Sequence, residues 1–146
     1  MLGAKRRDQL YPYKRLLDAG VVVASGTDFP VTPPPDQFVG LQTAMSRSLP
    51  ECWDGYDDFK DMVMAPPDNP AQDIVDFKEA IKSLTISGAY QNFYEDVTGS
   101  IEVGKSADLV VLDRDLEDTI VHDIHKTTVR YTIFKGKTVY CSEDEL

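Results

Sequence analysis

Asp28 is the residue of this chain whose surroundings are best suited to chemistry. It follows the short apolar run 21–24, comes two residues after Gly26 and precedes a proline-rich stretch. If the apolar run is a strand of an α/β sheet, Asp28 lies at its carboxyl end, where ligands of such sheets bind. A carboxylate there can bind a metal ion or transfer a proton. The alternative is a turn residue whose side chain bonds to nearby backbone.

Two histidines, His122 and His125, are three residues apart. On a helix this spacing would put both side chains on one face, where they could bind zinc. The neighbouring residues instead have the pattern of strands, in which side chains three residues apart point to opposite faces. The sequence therefore predicts that this pair does not hold a metal ion.

Gly99, Gly104 and Lys105 suggest a phosphate-binding loop at first sight. A P-loop, however, places its Gly-Lys-Ser/Thr at the start of a helix. The residues that follow Lys105 are typical of a strand. We therefore expect a turn that leads the chain into a β-strand.

The elements that would position Asp28 form the front of the chain. Pro12 suits the first turn of a helix, Leu16 and Leu17 share one helical face, and Gly20 suits its end. The run 21–24 then predicts a strand that is buried on both faces. A helix followed by a buried strand is half of a βα repeat.

The rest of the chain predicts helices and then short strands. Helices are expected from Gly40 to about Ser48, from an Asp73 cap to about Ser83, and from Ser87 towards Tyr94, with a surface excursion at 49–72 that contains Trp53, Tyr56 and Phe59. Beyond Gly99 the strand candidates are Ile101, 109–112, 120–121, 127–134 and 138–140, with a hairpin connection at 135–137.

Composition limits the possible functions. The chain has 146 residues, which is too few for a complete β/α barrel of about 250. With 15 Lys and Arg against 25 Asp and Glu, its net charge is −10. Such an acidic surface repels nucleic acid and anionic membranes, so neither is an expected partner. Cys52 and Cys141 follow no metal-ligand spacing, and a reducing cytoplasm is the expected location.

Several motifs give the chain a recognisable family resemblance. The segments 16–21 and 25–31, the latter with the sequence Ser-Gly-Thr-Asp-Phe-Pro-Val, resemble the last barrel repeat of metal-dependent amidohydrolases. The branch concerned includes D-aminoacylase and N-substituted formamide deformylase. The segment 84–90 resembles the helix start before the tail. The segment 99–113 is similar to the stretch in which these enzymes pass from the barrel to a small β-sandwich.

The resemblance implies an α/β plus β fold. Residues 1–98 would be the C-terminal part of an incomplete TIM-like barrel, with its last βα repeat, and residues 99–146 would be part of the β-sandwich. Asp28 would be the catalytic residue and the metal-contacting residue of the parent enzyme. Its family role is to touch the metal and to move a proton between the attacking water and the leaving nitrogen. The metal would be zinc or another divalent ion.

The resemblance also shows what this chain lacks. The family's metal site uses a His-x-His pair and further ligands from other strands, whereas the first histidine here is His122. The chain therefore resembles a C-terminal piece of an enzyme that hydrolyses a C–N bond. The isolated piece is expected to be inactive and to hold no cofactor. The alternative is an autonomous, non-catalytic α+β module.

Partners follow from the same resemblance. The parent would act on a small amide-like molecule. Unpaired strand edges predict a homo-oligomer. Arg47 matches a family arginine, whose role is either substrate contact or loop anchoring, and anchoring is the favoured interpretation.

Overall fold

The computed structural model describes residues 6, 9–31, 36–64 and 73–143. In chain order the helices are α1 (Tyr13–Asp18), α2 (Gln37–Ser46), α3 (Tyr56–Phe59), α4 (Phe77–Leu84) and α5 (Ile86–Gln91). The second half contains the strands β1 (Leu109–Leu112), β2 (Val129–Phe134) and β3 (Lys137–Cys141), with a 3-10 helix at Val121–Lys126 between β1 and β2. The observed architecture is thus a group of helices followed by a small antiparallel sheet.

Helix α1 begins and ends as the sequence predicts. Pro12 precedes its first residue, and Gly20 adopts the left-handed conformation with φ +79°. The Gly20 N–H donates to the Leu17 carbonyl at 2.8 Å, and the Val21 N–H donates to the Leu16 carbonyl at 3.0 Å. These two bonds form the Schellman motif, which satisfies carbonyls at the helix end and requires a positive φ.

The run 21–24 is not the buried strand that was predicted. It has no regular secondary structure, and Val21 and Val22 are 46% and 54% exposed. The physical reason is that a strand needs neighbours on its edges, and no strand pairs with this run within the described residues. What holds the end of the run is a bond from the Ser25 N–H to the Ser83 carbonyl, at 3.0 Å.

Helices α2 and α4 begin at aspartate caps. Asp36 accepts hydrogen bonds from the Phe38 and Val39 N–H groups, so α2 begins three residues before the predicted Gly40. Helix α4 is capped by Asp76, which with Glu79 forms a reciprocal capping box. The predicted cap at Asp73 is wrong, because that carboxylate is buried and binds an arginine instead.

The remaining helical predictions hold in part. Helix α5 begins one residue before Ser87 and ends at Gln91, short of Tyr94. Within the excursion 49–72 the described residues contain α3 and an isolated antiparallel bridge from Ser48 to Val63. The end of the excursion, 65–72, lies outside the described residues.

The sheet has the order β1-β2-β3, and both pairs are antiparallel. Phe134 pairs with Lys137 across a two-residue turn. Lys135 and Gly136 in that turn have φ values of +49° and +75°. Positive φ at both positions is what a type I′ hairpin needs, so the predicted hairpin is confirmed. The predicted strands at Ile101 and 120–121 are wrong, since Ile101 is exposed coil and Val121 begins the 3-10 helix.

The hydrophobic core lies between α2, α4 and the 3-10 helix. Its buried members are Leu41, Val75, Ala80, Leu116 and Ile124. These residues come from both sides of position 98, where the sequence predicts a domain boundary. The tail therefore packs against the helices through its 113–126 segment, while the boundary itself stays a prediction.

Candidate functional site

Asp28 projects from a turn directly after the extended run. Its φ is +58°, a left-handed conformation that aspartate tolerates better than most residues, and its side chain is exposed. Its carbonyl accepts a hydrogen bond from the Val31 N–H at 2.8 Å. No cluster of three or more His, Cys, Asp or Glu able to hold a metal ion occurs in the described part of the chain. Among the described residues, Asp28 would therefore be a single carboxylate ligand for a metal ion, without two further ligand groups beside it.

A chain of three hydroxyl groups fixes the backbone just before Asp28. Ser83 Oγ donates to the Ala80 carbonyl at 2.7 Å and lies 2.9 Å from Ser25 Oγ. Tyr13 Oη lies 3.3 Å from Ser25 Oγ. Because the Ser83 proton is committed to Ala80, Ser25 must donate to Ser83, and Tyr13 then donates to Ser25. Helices α1 and α4 are both tied to the segment that carries Asp28.

A cleft of about 340 Å³ lies next to this segment, between it and helices α2 and α4. Thr27 lines the cleft, whereas Asp28 is not among its lining residues. Most of the wall is apolar, with Leu41, Ala80 and Trp53 among the residues that form it. Its volume falls at the lower end of the range for small-molecule sites, about 300–1,000 Å³.

Arg47 anchors three segments of backbone. It ends α2 in a left-handed conformation, with φ +56°, and is only 8% exposed. Its Nε donates to the Met64 carbonyl at 2.9 Å, and its Nη2 donates to the Leu10 carbonyl at 2.7 Å. These two bonds are the loop anchoring that the sequence analysis favours for Arg47. The residue also lines the cleft.

The electrostatic surroundings of Arg47 include one acid and one further base. Burial lowers the pKa of the Arg47 guanidinium, the charge of Asp73 opposes that change, and the charge of Arg15 adds to it. Asp73 is committed to Arg15, whose Nε and Nη2 reach its two oxygens at 2.8 and 3.1 Å. This ion pair joins a buried Asp73 to a partly exposed Arg15, and it has no signal in the sequence, because its members are 58 residues apart.

The two histidines do not form a metal site with other described residues. They lie in the 3-10 helix, so the predicted strand geometry is wrong; residues three apart in a 3-10 helix are aligned rather than opposed. His125 makes hydrogen bonds to a buried side chain. Its backbone N–H and its Nδ1 both contact Oε1 of the buried Gln42, at 3.0 and 2.8 Å. This contact fixes the tail against α2.

The segment 99–105 is a turn, as predicted. Lys105 Nζ donates to Ser100 Oγ at 2.6 Å and lies 3.3 Å from Glu102, so its charge is used within the turn. Two structural carboxylates follow that were not predicted from the sequence. Asp108 accepts from the Lys135 N–H, and Asp113 accepts from the Thr128 N–H. They clamp the two ends of β1 to the hairpin, and their spacing of five residues around an apolar run was the available signal.

Comparison with known proteins agrees with this architecture. The model of the amidohydrolase family matches residues 1–140. The chain belongs to the amidohydrolase family. It is 33% identical over 135 residues to N-substituted formamide deformylase of Arthrobacter pascens, a match that covers 90% of this chain and 22% of the relative. It is 29% identical over 129 residues to imidazolonepropionase of Bdellovibrio bacteriovorus, covering 88% of this chain and 25% of that protein.

A solved structure gives the same result for this amidohydrolase chain. The crystal structure of an amidohydrolase from Thermotoga maritima matches with a TM-score of 0.57 and 26% identity, over 87% of this chain and 25% of that one. The chain thus spans about a quarter of the length of the relatives it matches. No helix among the described residues is long and apolar enough to cross a membrane.

Proposed function

We propose that this chain supplies the C-terminal part of a metal-dependent amidohydrolase that hydrolyses an amide-like C–N bond in a small molecule. Residues 1–98 would complete a TIM-like barrel, and residues 99–146 would join a β-sandwich. The observation that carries the proposal is the family match over residues 1–140, which includes the segment ending at Asp28. In this setting the exposed run 21–24 becomes a barrel strand once other strands flank it.

Asp28 is the residue we propose for proton transfer. Its exposed carboxylate follows the extended run and is held in place through Ser25, so it can take a proton from an attacking water and pass it to the leaving nitrogen. In the parent enzyme Asp28 would also contact the divalent metal ion. Amidohydrolases generally use such an ion, and zinc is our proposal for it.

The described residues of this chain do not by themselves fit a catalytic metal ion. A catalytic zinc site takes three protein ligands, and the described residues offer no suitable cluster around Asp28. We therefore expect the isolated chain to show no amide hydrolysis with added zinc. Any remaining ligands would have to come from other segments of the parent.

A chimera tests the proposal. In N-substituted formamide deformylase of Arthrobacter pascens, the segment that this chain matches is replaced by this chain, and folding is checked by circular dichroism. We expect hydrolysis of an N-substituted formamide, and a loss of about 10²–10⁴-fold in kcat for Asp28→Asn. Asp57→Asn, the same change at an exposed site, is the matched control. A folded chimera without activity, or one in which Asp28→Asn turns over normally, contradicts the proposal.

The second candidate is an autonomous, non-catalytic α+β module. The observation in its favour is the chain's own buried core, which draws on both halves of the sequence. Cooperative unfolding of the isolated chain, together with an inactive chimera, would support this candidate. For either candidate we propose a cytoplasmic location and a homo-oligomer, with no nucleic-acid or membrane partner.

A further inference from the structure

Arg47 is a buried cation without an ion-pair partner among the described residues. Its guanidinium donates to two backbone carbonyls, which carry no net charge. The one acid that acts on it, Asp73, makes a two-pronged ion pair with Arg15. Arg15, Arg47 and Asp73 together therefore leave one positive charge uncompensated. Buried charges are usually paired, because desolvation without a partner is costly.

The uncompensated charge adjoins an open, mostly apolar cleft. Arg47 lines the cleft of about 340 Å³ together with Trp53 and Tyr13. Asp36 also lies in its wall, but at the other end of α2, where it caps the first turn; eleven residues separate it from Arg47, about 16 Å along the helix axis. An anion at the Arg47 end of the cleft would therefore lie beside this base and far from Asp36.

Gly40 makes room in the same cleft. It lies inside α2, where glycine costs about 1 kcal/mol relative to alanine. A Cβ built at Gly40 would meet nothing within 4 Å, and Gly40 lines the cleft. The wall of the helix at this position is thus backbone that faces open space.

We propose that the cleft binds a small monocarboxylate with an apolar body, whose carboxylate pairs with Arg47 while the body lies against Trp53. A carboxylate matches a guanidinium in charge and in geometry. This inference goes beyond the proposed function, since it needs neither the rest of a barrel nor Asp28. Its test therefore uses the chain by itself.

Three small benzene derivatives that differ in charge separate charge from apolar contact. Benzoate, the neutral benzamide and the cationic benzylamine are titrated into the chain, and the fluorescence of Trp53, its only tryptophan, is followed. We expect benzoate to bind about tenfold or more tightly than benzamide, as one hydrogen-bonded charge pair implies, and benzylamine to bind most weakly. Equal binding of the three, or no binding of benzoate at millimolar concentration, would overturn the proposal.

A filled cleft gives the second arm of the test. Gly40→Leu places a side chain in the cleft and raises helix propensity, so the variant is expected to fold. It should weaken benzoate binding by about tenfold or more, because the side chain occupies the ligand's volume. Gly88→Leu in α5 is the matched control, since it too is a helical glycine with open space around its Cβ. If both variants bind benzoate as tightly as the unaltered chain does, the ligand is not in this cleft.

Discussion

Asp73 and Arg47 are buried charged residues of the helical part, and the partly exposed Arg15 pairs with Asp73. Asp73 is fully buried, and both of its oxygens are used by Arg15. Arg15 is on α1 and Asp73 precedes α4, so this ion pair ties α1 to the segment that leads into α4. A charged group in this position is costly to change, because its partner is then left partly desolvated without compensation.

We expect Asp73→Asn to lower the free energy of unfolding by about 1–3 kcal/mol, since the amide keeps the shape of the carboxylate but loses its charge. Asp57→Asn is the matched control: Asp57 also faces a base, Lys60, but at 3.9 Å and with a side chain that is 93% exposed. The control should change stability by less than about 0.5 kcal/mol. Urea denaturation of the two variants measures the difference. Equal stabilities would show that the ion pair of Asp73 with Arg15 contributes nothing to the free energy of unfolding.

Gly99 fixes how the helices and the tail approach each other. It has φ +91°, and a Cβ there would lie 2.7 Å from Ala89 Cβ and 3.0 Å from Ile86 Cα. The turn after Gly99 therefore packs directly on α5, with no room for a methyl group. A third contact, with the Thr85 carbonyl oxygen, would be 3.3 Å. Because two of the three contacts are with backbone, the clash cannot be relieved by rotating a side chain.

Gly104 allows this contact to be isolated. It has φ +100°, but its Cβ would meet nothing within 4 Å. Both Gly99→Ala and Gly104→Ala suffer the strain of a positive φ, of about 1–2 kcal/mol. We expect Gly99→Ala to cost about 1–3 kcal/mol more, as overpacking does. Thermal and urea unfolding followed by circular dichroism provide the comparison, and equal losses would mean that the α5 contact contributes nothing.

Asp113 makes the sheet sensitive to acid. The Arg114 guanidinium, and then the Thr128 N–H, hold the pKa of this carboxyl well below its usual range. A pKa that is lower in the folded state stabilises the fold above the unfolded value of about 3.9, and this stabilisation is lost as the pH falls towards the folded value. The melting temperature, measured at decreasing pH from pH 7, should therefore begin to decrease once the pH is below about 4.

Asp113→Asn should flatten the acid part of that profile, because the amide has no charge to lose. Asp57→Asn serves again as the exposed control. The pKa of Asp108 is also lowered, chiefly by the Lys135 N–H, so some acid sensitivity should remain in the Asp113 variant. If the variant and the original chain lose stability in parallel, the clamp at this end of β1 does not depend on charge.

Local signals were enough to predict α1 and the β2–β3 hairpin, and long-range ones were not available. Gly20 and Gly136 adopt positive φ readily because glycine has no Cβ, and they mark their turns locally, so these elements were predicted near their observed ends. The buried strand predicted at 21–24 was wrong because a strand depends on neighbouring strands. The helix cap predicted at Asp73 was wrong because the arginine that binds Asp73 is remote in sequence. Asp28 was found through family resemblance, since an aspartate in a turn is by itself ordinary.

At the scale of the whole molecule, the helices and the tail share one core, yet the sheet is poorly covered. Leu116 and Ile124 of the tail are buried with Leu41 and Ala80. In contrast, Val110 and Val139 on the outer strands remain exposed. Because β1 and β3 are the first and last strands of the sheet, each has one unpaired edge within the described residues. Unpaired edges of this kind tend to associate.

We expect the isolated chain to form a two-fold dimer, because a symmetric pairing of like edges buries them while the net charge of −10 opposes larger aggregates. Light scattering at micromolar concentration gives the mass. Val139→Lys on β3 and Val110→Lys on β1 place a charge on one outer strand each, and the variant that becomes monomeric identifies the edge used. Val22→Lys, at an exposed site outside the sheet, is the control and should stay dimeric. A monomeric mass for the unaltered chain would show that the exposed edges are tolerated in solution, and would contradict the predicted homo-oligomer.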